Sequence, residues 1–162
     1  MAAEILSAQP GFEVSVYERK PSVARKFLMA GRGGLNLTHS ENLDSFLQKY
    51  RDKADTLAPI INAFTPQDLR SWCESLGEKT FIGTSGRVFP ESFKASPLLR
   101  AWIARLQQQG VNFKLGHNWQ GWKGDDLMFE TPNGPLSTKP DATLLALGGA
   151  SWPRLGADGS WV

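Results

Sequence analysis

Residues 12–41 read FEVSVYERKPSVARKFLMAGRGGLNLTHSE, and the fold turns on this stretch. Phe12, Val14 and Val16 alternate with Glu13, Ser15 and Tyr17, the two-residue period of a strand with one covered face. The strand closes on an acid, Glu18, the position from which dinucleotide-binding folds hold a ribose hydroxyl. Arg25 and Lys26 follow, with charge suited to a pyrophosphate. Then come Gly31-Arg32-Gly33-Gly34, with Asn36 and Thr38 just beyond. Glycines let a backbone approach an anion or a planar ring, and successive amide donors make an anion-binding nest. Taken singly, Glu18 reads first as a surface carboxylate, while three glycines among four residues speak against the glycine segment being a flexible basic surface loop.

Working outward, residues 1–6 have a helix-like pattern with no capping residue before it, ended by Pro10-Gly11. Residues 42–77 predict two or three helices. Thr65 is a good N-cap, Pro66 suits the first helical position, and Gly77 sits where a helix-ending glycine belongs. Short strands are expected at 79–82 and 87–89. A helix over 98–109 follows from the spacing of Leu98, Leu99, Trp102, Ile103 and Leu106, with Gly110 closing it. Strands at 111–115, 118–123 and 127–130 come next, and Pro132-Asn133-Gly134 signals a turn into a hairpin partner. Residues 141–147 form a continuous apolar run, as in a parallel strand covered on both faces. It runs into Gly148-Gly149, where a cofactor can lie over the strand's carboxyl end. A tight turn closing a sheet would use the same glycines.

This order predicts an α/β fold with a parallel sheet, a helical insertion and a small β-meander. It predicts one domain over 1–162: a nucleotide-binding part (1–41), a mainly helical part (42–110), a meander (111–140), and a last strand with its glycine turn (141–162).

Composition narrows the function classes. Hydrophobic residues make up 41% and charged residues 21%, an ordinary balance for a globular protein. A net charge of +2 gives no strong pull toward nucleic acid or an anionic membrane, and the six tryptophans are scattered without an interleaved basic patch. No apolar run approaches the roughly 20 residues that span a bilayer. No signal-peptide pattern opens the chain, so the cytoplasm is expected. Cys73 is the single cysteine and reads as a small core residue rather than a nucleophile. His39 and His117 lie far apart, so no metal site is expected. The expected partners are a small-molecule cofactor and substrate.

Three stretches make the sequence recognisable: VYERKPSVARKFLMAGRGGLNLTHSE (16–41), GRVFPESFKASPLLRAWIARL (86–106) and LLALGGASWPRLGADGSW (144–161). They resemble the BaiN/YhiN-like family of bacterial FAD-dependent, NAD(P)H-linked oxidoreductases. The resemblance implies a glutathione reductase-like, Rossmann-type fold. It places Glu18 on the adenosine ribose and lines the FAD pyrophosphate and flavin with Arg25, Lys26, Gly31, Gly33, Gly34, Asn36 and Thr38. It sets Trp119 near adenine and closes Gly148 and Gly149 over the cofactor. Family members open with a strand and a Gly-x-Gly-x-x-Gly turn that are missing here, and they carry glycine near position 24, where this chain has Ala24. The chain is therefore expected to be a fragment, truncated at both ends, that binds FAD weakly or not at all. The alternative is a non-catalytic nucleotide-binding remnant.

Overall fold

The computed structural model describes residues 1–29, 34–150, 152–155, 158, 159 and 161. They fall into two compact units, Met1–Lys26 with Leu106–Val162, and Phe27–Arg105. The architecture is α/β, with a parallel strand pair, helices and antiparallel strands, as the sequence predicts.

In the first unit, helix α1 (Ala2–Ser7) is short and has no side-chain cap. Its Ser7 hydroxyl donates to the Gln109 side-chain oxygen at 3.0 Å. Gly11, at φ +85°, ends the segment. Strand β1 (Ser15–Glu18) pairs in parallel with β5 (Asn112–Leu115), setting Glu18 beside Leu115. Strands β6 (Asn118–Lys123), β7 (Asp126–Thr131) and β8 (Gly134–Thr138) form an antiparallel meander in that order. Leu127 and Phe129 of β7 are its buried members. The Phe129 ring stacks on Tyr17 of β1, with centroids 4.4 Å apart and planes 15° from parallel. Pro132 and Asn133 make the turn between β7 and β8. Its ends are tied by the Thr131 hydroxyl donating to the Gly134 carbonyl at 2.8 Å.

The second unit is built on a three-stranded antiparallel sheet, ordered β2 (Thr38–His39), β4 (Arg87–Pro90), β3 (Thr80–Ile82). Helices α2 (Leu43–Gln48), α3 (Ala54–Ala63) and α4 (Pro66–Ser75) lie between β2 and β3 in the chain, and α5 (Ala95–Gln108) follows β4. Val88, Cys73, Leu98 and Pro90 are fully buried, so the core lies where central strand β4 meets α4 and α5. The α5 residues Leu98, Leu99 and Leu106 are buried at helical spacing, as expected. Trp102 sets its ring edge-on to Trp72, 5.0 Å away.

The start of α4 carries the predicted cap in full. The Asp68 amide donates to the Thr65 hydroxyl at 3.1 Å, and the Thr65 amide donates back to the Asp68 carboxylate at 2.9 Å, a reciprocal capping box. The Thr65 hydroxyl, which donates to the Asp68 carboxylate at 2.6 Å, and then the Thr65 amide hold the Asp68 carboxyl below its ordinary pKa. Gly77, at φ +85°, follows the end of the helix in the left-handed conformation expected there.

One expected strand is absent. Residues 141–147 join no ladder, and Leu144 and Leu145 are 65% and 53% exposed. A parallel strand needs hydrogen-bonded neighbours. The parallel sheet here holds only β1 and β5, and no strand of the described residues lies alongside 141–147. Apolar composition identifies a segment suited to a buried strand, and the pairing that would bury it is not formed.

Thr65→Ala is expected to lower the stability of the folded chain by about 1 kcal/mol. Urea unfolding followed by circular dichroism reads this directly, and an unchanged midpoint would contradict the capping argument.

Candidate cofactor site

In the first unit, Glu18 ends β1 on the carboxyl side of a parallel pair. The β1 ladder is extended one bond further by the His117 amide, which donates to the Glu18 carbonyl at 3.0 Å. The chain then turns back, and the Lys20 amide donates to one Glu18 carboxylate oxygen at 2.8 Å. That bond fixes the carboxylate at the strand's end. The Tyr17 ring packs edge-on against His117, 5.5 Å away, which braces the same corner.

Arg25 and Lys26 open a single 3-10 turn, Arg25–Leu28, with Arg25 half-buried and Lys26 exposed. Ala24, just before them, sits at φ +55°, in the left-handed region that favours glycine. A Cβ there costs about 1 kcal/mol. The departure from glycine noted at this position therefore falls where the backbone asks for one.

Trp119 lies in β6 beside a register shift between Trp119 and Gly121. Its indole N–H is shielded from solvent and meets no acceptor among the described residues. The ring stands edge-on to Trp122 at 6.2 Å. Gly148, at φ +75°, and Gly149 are exposed, and open space surrounds the position a Gly149 side chain would take.

In the second unit, Gly34 has φ +99°, and a Cβ added there would lie 2.9 Å from the Phe93 ring and 3.0 Å from the Phe93 carbonyl oxygen. The close approach this glycine permits is thus made to Phe93. Leu35 donates its amide to the same Phe93 carbonyl at 3.1 Å, and Leu37 donates to the Val88 carbonyl at 2.8 Å. Asn36, between them, is exposed. Thr38 pairs with Val88 in the β2–β4 ladder. Gly31 and Gly33 lie outside the described residues.

Phe93 is the feature that sequence reasoning missed. It carries φ +56°, rare for a bulky side chain. Its ring meets Phe81 edge-on at 4.9 Å and Phe89 at 5.8 Å, yet 49% of the residue is exposed. No pattern of residue types announces a left-handed phenylalanine.

His39 also holds a defined place in this unit. It donates through Nε2 to the Ser85 carbonyl at 3.0 Å and accepts at Nδ1 from the Glu41 amide at 3.3 Å. Gly86 lies under its ring, where a Cβ would approach to 2.6 Å. No three His, Cys, Asp or Glu side chains among the described residues could hold a metal ion. No helix among them is long and apolar enough to cross a membrane.

Cys73 is fully buried in α4. Burial, with the nearby Glu78 and Glu74 carboxylates adding to it, pushes its thiol up to about 11. It stays protonated and unreactive at neutral pH, consistent with a packing role.

Set against FAD, the described residues meet part of the requirement. A carboxylate fixed at the carboxyl end of a parallel strand suits a ribose hydroxyl, and among the described residues the space beside Gly149 is open. Gly34 is already filled by Phe93 and offers no cradle of its own.

Comparison with known proteins agrees with the sequence resemblance. The HI0933-like protein Rossmann domain family matches residues 1–162. A 3-dehydro-bile acid delta(4,6)-reductase from Clostridium scindens is 26% identical over 148 residues, 91% of this chain and 36% of that protein. The chain thus spans about a third of that relative's length.

Two outcomes follow from the geometry. Ala24→Gly should raise stability by up to about 1 kcal/mol by removing the left-handed Cβ, and a lower urea midpoint would contradict the strain. The Cys73 thiol titrates higher in the fold than when unfolded. Its stabilising effect is therefore complete below about pH 8.5 and declines as pH rises toward 11. The wild-type melting temperature should fall more steeply across that window than that of Cys73→Ala, and parallel curves would remove the thiol as the cause.

Proposed function

The chain belongs to the HI0933-like Rossmann-domain family, and on that premise we propose that it is the dinucleotide-binding part of an FAD-dependent oxidoreductase. The observation that carries this reading is Glu18, fixed by the Lys20 amide at the carboxyl end of a parallel strand. An acid in that place accepts hydrogen bonds from a ribose hydroxyl. Arg25 and Lys26 supply cationic donors for the pyrophosphate. Trp119 lies by adenine, and Gly148 and Gly149 present open backbone to the rest of the cofactor.

FAD, when bound, carries the hydride chemistry, with NAD(P)H as the donor and an organic molecule as the acceptor. The residues of this chain bind and orient. Glu18 holds the ribose, and the basic turn offsets phosphate charge.

A second reading is favoured by one observation. Residues 141–146 are exposed, 141–147 join no ladder, and the glycine pair they lead to is not braced by a sheet. A glycine pair without sheet support must be held in place by the ligand it binds, and that cost lowers affinity. This chain is accordingly proposed to bind FAD weakly and to lack turnover of its own.

Purification followed by a visible spectrum tests this. Stoichiometric flavin, with bands near roughly 370 and 450 nm, would overturn weak binding. Titration of added FAD, followed by quenching of its fluorescence, should show saturable binding that Glu18→Ala weakens about tenfold. Equal affinity in the two proteins would remove Glu18 from the site, and the absence of any quenching would remove flavin.

A further inference from the structure

His39, at the end of β2, is held by two backbone groups and faces a carboxylate. Its ring lies over Gly86, where an added Cβ would come within 2.6 Å of it. The Ser85 carbonyl can only accept, so Nε2 carries the ring hydrogen and donates it at 3.0 Å. Nδ1 of the neutral ring then holds a lone pair, which accepts the Glu41 amide at 3.3 Å. The Glu41 carboxylate stands beside the same nitrogen, its Oε1 3.2 Å from Nδ1. A neutral ring offers that oxygen no hydrogen, because both atoms are acceptors. Oε1 instead receives the Lys49 ammonium. Lys49 closes the end of α2, and Asn42, next to Glu41, caps its start by accepting the Ser45 amide at 2.8 Å. The Glu41–Lys49 pair thus ties the two ends of that helix together.

We propose that His39 is a proton-operated clasp at the entry to α2: neutral, it holds the Glu41 amide, and protonated, it releases that amide and binds the Glu41 carboxylate. Histidine changes charge between about pH 5 and 8. A proton taken from water enters at Nδ1, because Nε2 already carries one. The new Nδ1–H can no longer accept, so the Glu41 amide loses its partner. The carboxylate is already within reach, and at 16% exposure it is only partly screened by water. His39 then competes with Lys49 for one oxygen, and the tie between the ends of α2 weakens as its entry is freed. The Ser85 bond and the contact with Gly86 survive protonation, so the ring stays in place while its bonds change. Among the described residues, the other charged groups nearby do not replace Glu41. Arg87, the partner of His39 in the β2–β4 ladder, is a cation. On α4, which also packs against β2, Asp68 is engaged by Thr65, Arg70 and Glu74 are engaged by Thr80, and Cys73 is a buried thiol.

The test follows the full 162-residue chain by nuclear magnetic resonance from about pH 8 to about pH 5, beside the variant His39→Asn. Asparagine accepts the amide two residues on through its side-chain oxygen and does not titrate. Exchange of the Glu41 amide with water is read relative to the rate of an unstructured amide at the same pH. In wild type it should rise about tenfold, with the midpoint of the His39 ring titration. The Glu41 carboxyl carbon should shift at that same midpoint as Nδ1–H arrives. In His39→Asn both signals should stay flat. An unaffected Glu41 amide while the ring titrates would overturn the clasp, and so would a ring that does not titrate in this range. The same response in His39→Asn would assign it to another group, such as His117, and would also overturn it. Equally fast loosening at the amide of buried Val88 would mean loss of the fold rather than a local switch, again against the proposal. A carboxyl carbon that stays still while the amide loosens would overturn the exchange of partners.

Discussion

The stack of Tyr17 on Phe129 is the contact on which the unit holding β1 and Glu18 depends. A parallel pair of four-residue strands is not a stable sheet by itself, because parallel strands are ordinarily covered on their faces. β1 and β5 obtain cover from the meander, whose strand β7 buries Leu127 and Phe129. An aromatic pair of this kind contributes about 0.5–1.5 kcal/mol beyond its buried area. Tyr17 immediately precedes Glu18. The contact that secures β1 therefore also fixes the direction in which the strand ends, and with it the place of the carboxylate.

An analogous constraint operates in the second unit at Val88. This fully buried residue lies in the central strand β4, and it pairs with Thr38 on one side and Ile82 on the other. Its carbonyl also accepts the Leu37 amide. The residues that leave the glycine-rich segment are thus tied to the best-buried strand of their unit within four positions of Gly34.

Much of this was legible in residue types because local chemistry decided it. The Thr65 cap, the Pro132-Asn133 turn, the repeat of leucines along α5 and the acid closing β1 each follow from interactions within a few residues. Residues 141–147 were misread for the opposite reason. Their apolarity states a preference, whereas a strand exists only when a partner's backbone supplies the hydrogen bonds. Phe93 and Ala24 were opaque for a third reason. The sign of φ is set by the path of the chain on either side, and a residue that tolerates the left-handed region poorly gives no hint that it occupies it.

The distribution of that strain bears on where the site lies. Among the described residues, Ala24, Arg51 and Phe93 are the non-glycine residues with positive φ. Arg51 is an exposed residue in the short turn between α2 and α3, where the change of chain direction suffices to explain it. The other two differ. Ala24 leads directly into Arg25 and Lys26, and Phe93 packs against Gly34. Left-handed backbone at a residue with a side chain costs free energy that packing elsewhere must offset, and such residues concentrate where geometry matters to a ligand. Each strain is held by its own surroundings, Ala24 at the turn into Arg25 and Phe93 by the Phe81 and Phe89 rings.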